Sequence, residues 1–322
     1  MIRHRRLRTS TTLRNLVQET TISVNDFIVP LFIIEGENIK EEISSMPGYY
    51  RMSLDLIESE INEIWNLGLK AVLLFVKVPD GLKDNKGTEA LNEVGLMPRS
   101  IKAIKSLRPE MLVFTDVALD PYSTYGHDGI VENNEILNDS TVEILSKMAV
   151  MHAKAGADFI APSDMMDGRI GSIRIALEQN GFANTGIMSY AAKYASAYYG
   201  PFRDALGSAP GFGDKKTYQM DPANKTEAIK EAMADIDEGA DILMIKPGLP
   251  YLDIVHVVKE ISELPVAVYQ VSGEYAMIKA AAEKGWLNEQ DVMMESILSI
   301  KRAGADLIAT YFAKDVAKLL KK

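Results

Sequence analysis

The chain has 322 residues, 47% of them hydrophobic and 25% charged, with a net charge of −10. That balance is typical of a soluble globular protein of one large or two ordinary domains, and its sign argues against general nucleic-acid binding. The absence of cysteine excludes disulfides, thiolate metal sites and a thiol nucleophile, and it fits a reducing interior.

Charge is unevenly distributed. Residues 1–14 hold five arginines and no acid, and no aromatic side chain interleaves with them as stacking on bases requires. This leaves an arm lying on an acidic partner subunit, or a solvated basic terminus. The opening Met1-Ile-Arg-His-Arg-Arg-Leu-Arg8 lacks the apolar core of a secretory signal. No apolar stretch approaches the ~18 residues of a membrane span. The expectation is a cytoplasmic enzyme without membrane or nucleic-acid partners.

In chain order, short apolar runs predict strands at 27–34, 70–78, 111–118, 157–162, 185–190, 240–246, 265–271 and 305–311. Helical periodicity falls between them at 53–66, 98–107, 140–155, 169–179, 224–238, 251–262 and 275–303, the last broken at Gly285. One unit recurs: a helix ends in Gly, a small or charged pair follows, then a continuous apolar run. It reads Ala155-Gly-Ala-Asp-Phe-Ile-Ala161, Glu238-Gly-Ala-Asp-Ile-Leu-Met-Ile-Lys246 and Ala303-Gly-Ala-Asp-Leu-Ile-Ala-Thr-Tyr311. Continuous runs suit parallel strands covered on both faces, and Gly suits the position just past a helix. Eight such strands predict a (β/α)8 barrel rather than a doubly wound sheet, because no Gly-rich phosphate loop follows the first strand.

A barrel gathers polar residues at the C-terminal ends of its strands. Those ends carry Asp116 and Asp120, Ser163 and Asp164, Lys246, Ser272 and Tyr311, with Lys193 just beyond the fifth strand. Lys193 and Lys246 both sit among apolar neighbours. Desolvation and a second nearby amine favour the neutral form, which attacks carbonyl carbon to give a Schiff base. The loop 200–221 is rich in Gly and carries Arg203 and Lys215, so it reads as a lid whose cations clamp a carboxylate.

Two long motifs then carry a resemblance. Met188-Ser-Tyr-Ala-Ala-Lys193-Tyr-Ala-Ser-Ala-Tyr-Tyr-Gly-Pro-Phe-Arg203-Asp204 and Met244-Ile-Lys246-Pro-Gly-Leu-Pro-Tyr-Leu-Asp253 resemble the lysine signatures of the porphobilinogen synthase, or delta-aminolevulinic acid dehydratase, family. Asp116-Val-Ala-Leu-Asp120-Pro-Tyr, Pro162-Ser-Asp-Met-Met-Asp-Gly-Arg169, Tyr269-Gln-Val-Ser272-Gly-Glu and Thr310-Tyr311 extend it over nearly the whole chain.

The resemblance implies a TIM barrel (residues 25–322) with an N-terminal arm (residues 1–24) that embraces a neighbour, usually in octamers. It implies condensation of two 5-aminolevulinate molecules to porphobilinogen in tetrapyrrole synthesis. Lys246 would bind the first substrate (the P side) and Lys193 the second (the A side), both as Schiff bases. Ser272 and Tyr311 would hold the P-side carboxylate, and Arg203, Lys215 and Gln219 the A-side carboxylate. Asp116 and Ser163 would lie near the P-side amino group.

Zinc-using relatives carry three cysteines where this chain has Ala118, Asp120 and Asp128. Thiolates select zinc and carboxylates suit Mg²⁺, so zinc is not expected. The sequence resembles the magnesium-responsive branch, in which an intersubunit Mg²⁺ is held by the carboxylate matching Glu231. Asp120 and Asp128 are candidates for an active-site ion. A one-lysine class I aldolase and a catalytically inert barrel are the competing readings. The first needs only one of the two amines, and the second neither.

Overall fold

The computed structural model describes residues 1–208 and 211–321; positions 209 and 210 of the candidate lid, and position 322, lie outside the described residues. Eight parallel strands form a closed ring: β1 (Phe27–Ile34), β2 (Ala71–Lys77), β3 (Leu112–Val117), β4 (Phe159–Pro162), β5 (Gly186–Lys193), β6 (Ile242–Lys246), β7 (Val266–Gln270) and β8 (Leu307–Thr310). Each strand pairs with its sequence neighbour, and β8 returns to β1 through Phe27↔Ile308 and Ile28↔Ala309. All eight residues of β1 are buried, as expected of a strand with side chains inside the ring on one face and a helix layer on the other.

The recurrent Gly-Ala-Asp unit builds the bottom rim. Gly156 and Gly304 follow their helices with φ of +109° and +123°, a region that residues with a Cβ avoid. The Asp two residues on then reaches sideways. The N–H groups of Val113, Ile187 and Val266 donate to Asp158 at 2.8 Å, Asp241 at 2.7 Å and Asp306 at 2.7 Å. Each carboxylate thus ties the start of one strand to the preceding strand in the ring.

The expected helices are present around the barrel, and the pattern at 275–303 divides into Ser272–Glu283 and Glu289–Ala303 around Gly285. Several features depart from expectation. A final helix, Ala313–Leu320, follows β8 and buries Ala313, Val316 and Ala317 along one face. The 119–138 stretch contains a hairpin, Ile130–Glu132 with Glu135–Leu137. The 200–221 loop contains a short helix, Gly200–Leu206. The fifth strand runs to Lys193 rather than stopping at 190.

In the N-terminal segment, the short helices His4–Arg8 and Thr11–Leu16 bury no residue. Met1, Ile2, Leu7 and Leu16 are exposed. Among the described residues no helix is long and apolar enough to cross a membrane.

Candidate active site

The C-terminal ends of the strands bring the two amines together. In the ladder between β5 and β6, Lys193 and Lys246 are direct partners. An irregularity in β5 makes this so. Ser189 faces Leu243 and Ala192 faces Ile245, so three steps on β5 match two on β6. Side chains alternate faces along a strand. Without the extra residue, Lys193 would share the outward orientation of Ser189, whose hydroxyl meets Asp235 in the helix layer. The bulge turns Lys193 to the same face as Lys246.

Lys246 ends β6 inside a box of aromatic rings. Its Nζ lies 4.7 Å from the ring centre of Phe202, 4.8 Å from Tyr269, 5.1 Å from Tyr199 and 5.3 Å from Tyr190. Among the described residues no carboxylate forms an ion pair with it. Burial, reinforced by the charge of Lys193, lowers its pKa to about 7. This amine is therefore substantially neutral at physiological pH.

Lys193 is held differently. Its ammonium donates to Asp128 Oδ2 at 3.1 Å and to the Ser163 carbonyl. The Lys215 ammonium donates to Asp128 Oδ1 at 2.6 Å and lies 3.5 Å from Asp120 Oδ2. The Gln219 amide reaches Asp128 at 3.4 Å. Burial alone would raise the Asp128 carboxyl, but Lys193 and Lys215 hold it well below the usual carboxylate range. The Lys215 ammonium loses solvation on burial, yet Asp120 and Asp128 outweigh that loss and its pKa is raised.

Asp116 accepts the Ser163 hydroxyl at 2.6 Å. Burial, and then the charge of Asp120, push its carboxyl up to about 7. A carboxyl of that pKa exchanges a proton readily near neutrality. Ser272 opens the helix after β7, and its Oγ accepts the Phe202 N–H at 2.9 Å. The Tyr311 hydroxyl lies 2.9 Å from that of Tyr269.

The lid packs down over this cluster. Half-buried Arg203 lies on its short helix. Further along, the Gly211 N–H donates to the Tyr125 carbonyl at 2.8 Å. His127 spans two lid residues, with Nε2 3.1 Å from the Phe212 carbonyl and Nδ1 3.0 Å from the Tyr218 hydroxyl. Only about 20 Å³ of cavity remains between Lys193, Lys246, Arg203, Lys215 and Asp120, room for roughly one water. Arg203, Lys215 and Gln219 also line a larger outer cleft of about 500 Å³.

All the residues expected at the amines converge except Glu231, expected instead between subunits. It lies on the helix Thr226–Asp237, in a separate polar cleft of about 600 Å³ with Asp167 and Glu227. Burial raises its carboxyl, and Asp235, Asp167 and Glu227 push the same way against Arg169. Among the described residues no three His, Asp or Glu side chains are arranged to hold a metal ion by themselves. Sequence reading missed the aromatic box, His127 and Glu274. Tyr190, Tyr199 and Phe202 lie within the Lys193 motif and Tyr269 opens the Ser272 motif, but their spacing does not announce that they close around Lys246.

Two buried amines in unlike surroundings, a carboxyl poised near neutrality and the cations Arg203 and Lys215 at the mouth suit double imine chemistry on acidic carbonyl substrates. Comparison with known proteins agrees. Residues 1–319 match the profile of the family described as delta-aminolevulinic acid dehydratase. The delta-aminolevulinic acid dehydratase of Halalkalibacterium halodurans is 51% identical over 318 residues, covering 99% of this chain and 96% of the relative. The chloroplastic enzyme of Pisum sativum is 56% identical over 314 residues, covering 97% of this chain and 78% of its own.

Among solved structures, delta-aminolevulinic acid dehydratase (porphobilinogen synthase) of Toxoplasma gondii, in complex with the reaction product porphobilinogen, matches with a TM-score of 0.97 and 51% identity. The match covers 99% of this chain and 91% of that one. With barrel, paired amines and full-length relatives in agreement, the chain belongs to the delta-aminolevulinic acid dehydratase family.

Proposed function

We propose that this lyase makes porphobilinogen from two molecules of 5-aminolevulinate through imines on Lys246 and Lys193. The pairing of those two lysines across β5 and β6 carries the reading. Each amine adds to a substrate ketone and expels one water, which accounts for both waters lost overall. Loss of a C–H proton from one bound substrate then allows the carbon–carbon bond to form. The free amino group of the P-side substrate closes the carbon–nitrogen bond. Both lysines leave as amines, and a further proton loss gives the aromatic ring.

Lys246, the more neutral amine, takes the P side. Ser272 and Tyr311 are suited to its carboxylate because each contacts a wall of the Lys246 box, through Phe202 and Tyr269 respectively. Arg203, Lys215 and Gln219 border both the inner cavity and the outer cleft, which suits capture of the A-side carboxylate as it enters. Asp116 with Ser163 would face the P-side amino group, where a carboxyl of pKa about 7 can take or return a proton.

For the metal, Glu231 lines a polar cleft with Asp167 and Glu227, where burial first, and then Asp235, Asp167 and Glu227 against Arg169, raise its carboxyl. Such oxygen donors suit a hydrated Mg²⁺. Bound there, the ion would supply charge neutralisation away from the amines, as a regulatory rather than a chemical component, and zinc has no thiolate to select it. Asp120 and Asp128 would take an ion only if Lys215 withdrew, because Asp128 already accepts from Lys193 and Lys215.

The exposed apolar residues of the N-terminal segment and its arginines support an arm that packs on a second copy, in an octamer. A cytoplasmic setting accords with the cysteine-free composition. The direct test is to incubate the enzyme with 5-aminolevulinate, reduce with borohydride and map adducts by mass spectrometry. Adducts at Lys193 and Lys246 are expected. Their absence from both would sink the reading.

A further inference from the structure

Glu274 is fully buried on the first turn of the helix after β7. No Lys, Arg or His among the described residues pairs with it. Instead its two oxygens accept three backbone N–H groups: Leu249 at 2.6 Å on Oε1, and Gly248 at 3.1 Å and Val271 at 2.7 Å on Oε2. Two of these donors belong to the turn that leaves Lys246. The third precedes Ser272. One carboxylate therefore joins the end of β6 to the helix that begins at Ser272.

The joint extends to the lid. The Ser272 hydroxyl oxygen accepts the Phe202 N–H, and the Phe202 ring is the nearest wall of the Lys246 box at 4.7 Å. Gly273 lies so close to the backbone just before the lid that a Cβ there would stand 2.5 Å from the Tyr198 carbonyl oxygen. Lys246, Ser272 and Phe202 thus share one support. The two lysines are joined through the backbone ladder, but the Lys193 side chain is held separately, by Asp128 and the Ser163 carbonyl.

We infer that Glu274 is a positioning residue specific to the Lys246 half of the site, holding that amine, Ser272 and the Phe202 wall in register for the first substrate. Burial pushes the Glu274 carboxyl up to about 7 and the three N–H donors oppose that rise; a carboxylate of this length is the group that satisfies all three. A glutamine offers one oxygen and turns an NH₂ toward a backbone N–H. An aspartate is one methylene too short to span both elements. Loss of a buried charge-assisted bond of this kind corresponds to roughly tenfold or more in an equilibrium or a rate.

This inference rests on the imine reading of Lys246, and one experiment separates the two. Wild-type and Glu274→Gln enzymes are trapped with borohydride over a time course with 5-aminolevulinate, and adducts at the two lysines are quantified separately. The expected result is adducts at both lysines in wild type, and labelling at Lys246 slowed roughly tenfold in the variant while labelling at Lys193 keeps its wild-type rate. Equal rates at both lysines in wild type and variant, or an equal fall at both, would overturn the clamp while leaving the imine reading intact. A wild type without adducts would remove both. If Glu274→Gln does not accumulate as folded protein, Glu274→Asp carries the same comparison with the same outcomes.

Discussion

Lys193 and Lys246 are register partners on adjacent parallel strands, yet only Lys193 has a carboxylate to pair with. Burial strips water from Lys246, the charge of Lys193 adds to that penalty, and the unpaired amine gives up its proton near neutrality. In the proposed reaction this asymmetry sets an expected order, with Lys246 attacking first and Lys193 after losing its contacts to Asp128 and Ser163.

Activity should therefore depend on pH through Lys246. With a pKa of about 7, the neutral fraction falls about tenfold per unit below that value. Trapping at Lys246 should fall with it, and a rate of adduct formation that stays flat from pH 7 to 5 would contradict the assignment. Stability should also rise with pH, over a higher window. The unfolded lysine titrates at about 10.4, so between roughly 7 and 10 the unfolded chain binds more protons and stability rises with pH. Lys246→Met should abolish turnover, remove that slope and stabilise the fold at pH 7 by on the order of 1–2 kcal/mol, measured by urea unfolding.

Asp128→Asn should leave two buried ammonium groups without their shared counter-charge. Breaking one side of a buried ion pair costs about 3–5 kcal/mol, and denaturant unfolding at pH 7 should show a loss of that size. Because the folded pKa of Asp128 is depressed, its contribution is fully present above the unfolded value of about 3.9 and is lost as pH falls through the lower folded value. The variant should lack that acid-side loss, and parallel pH–stability curves for the two proteins would refute this account.

Glu231→Ala should reduce stimulation by Mg²⁺ while leaving residual turnover, since Glu231 stands in its own cleft apart from the two amines. Magnesium titrations of porphobilinogen formation in the two proteins test this directly. Wild-type enzyme should also be indifferent to a zinc-selective chelator. Inhibition reversed only by zinc would refute the carboxylate reading.

Much of this molecule is legible in its sequence because the barrel writes itself locally. Continuous runs such as Phe27–Ile34 can be covered on both faces only in a parallel sheet, and each Gly-Ala-Asp marks a helix end whose carboxylate then ties two strands. The site is less legible. Lys193 reads as a loop residue because nothing in Ala191-Ala192 signals a bulge. Lys215 reads as a substrate clamp, yet its partners Asp120 and Asp128 arrive from a loop nearly ninety positions away. Ala313–Leu320 is too short for its periodicity to stand out, and packing against the barrel makes it a helix. Glu274 resembles an ordinary first-turn acid until the fold brings the Gly248–Leu249 turn above it.

The near-absence of free space around the amines has a chemical consequence. An imine in water reverts to ketone and amine, so the proposed pair of imines would benefit from a chamber that admits about one solvent molecule. With the described residues in this arrangement the inner cavity is too small for either reactant, so passage from the outer cleft is expected to need the latch between His127, Phe212 and Tyr218 to shift. Lifting of that cover is therefore expected to gate turnover, as lid motions do in many enzymes.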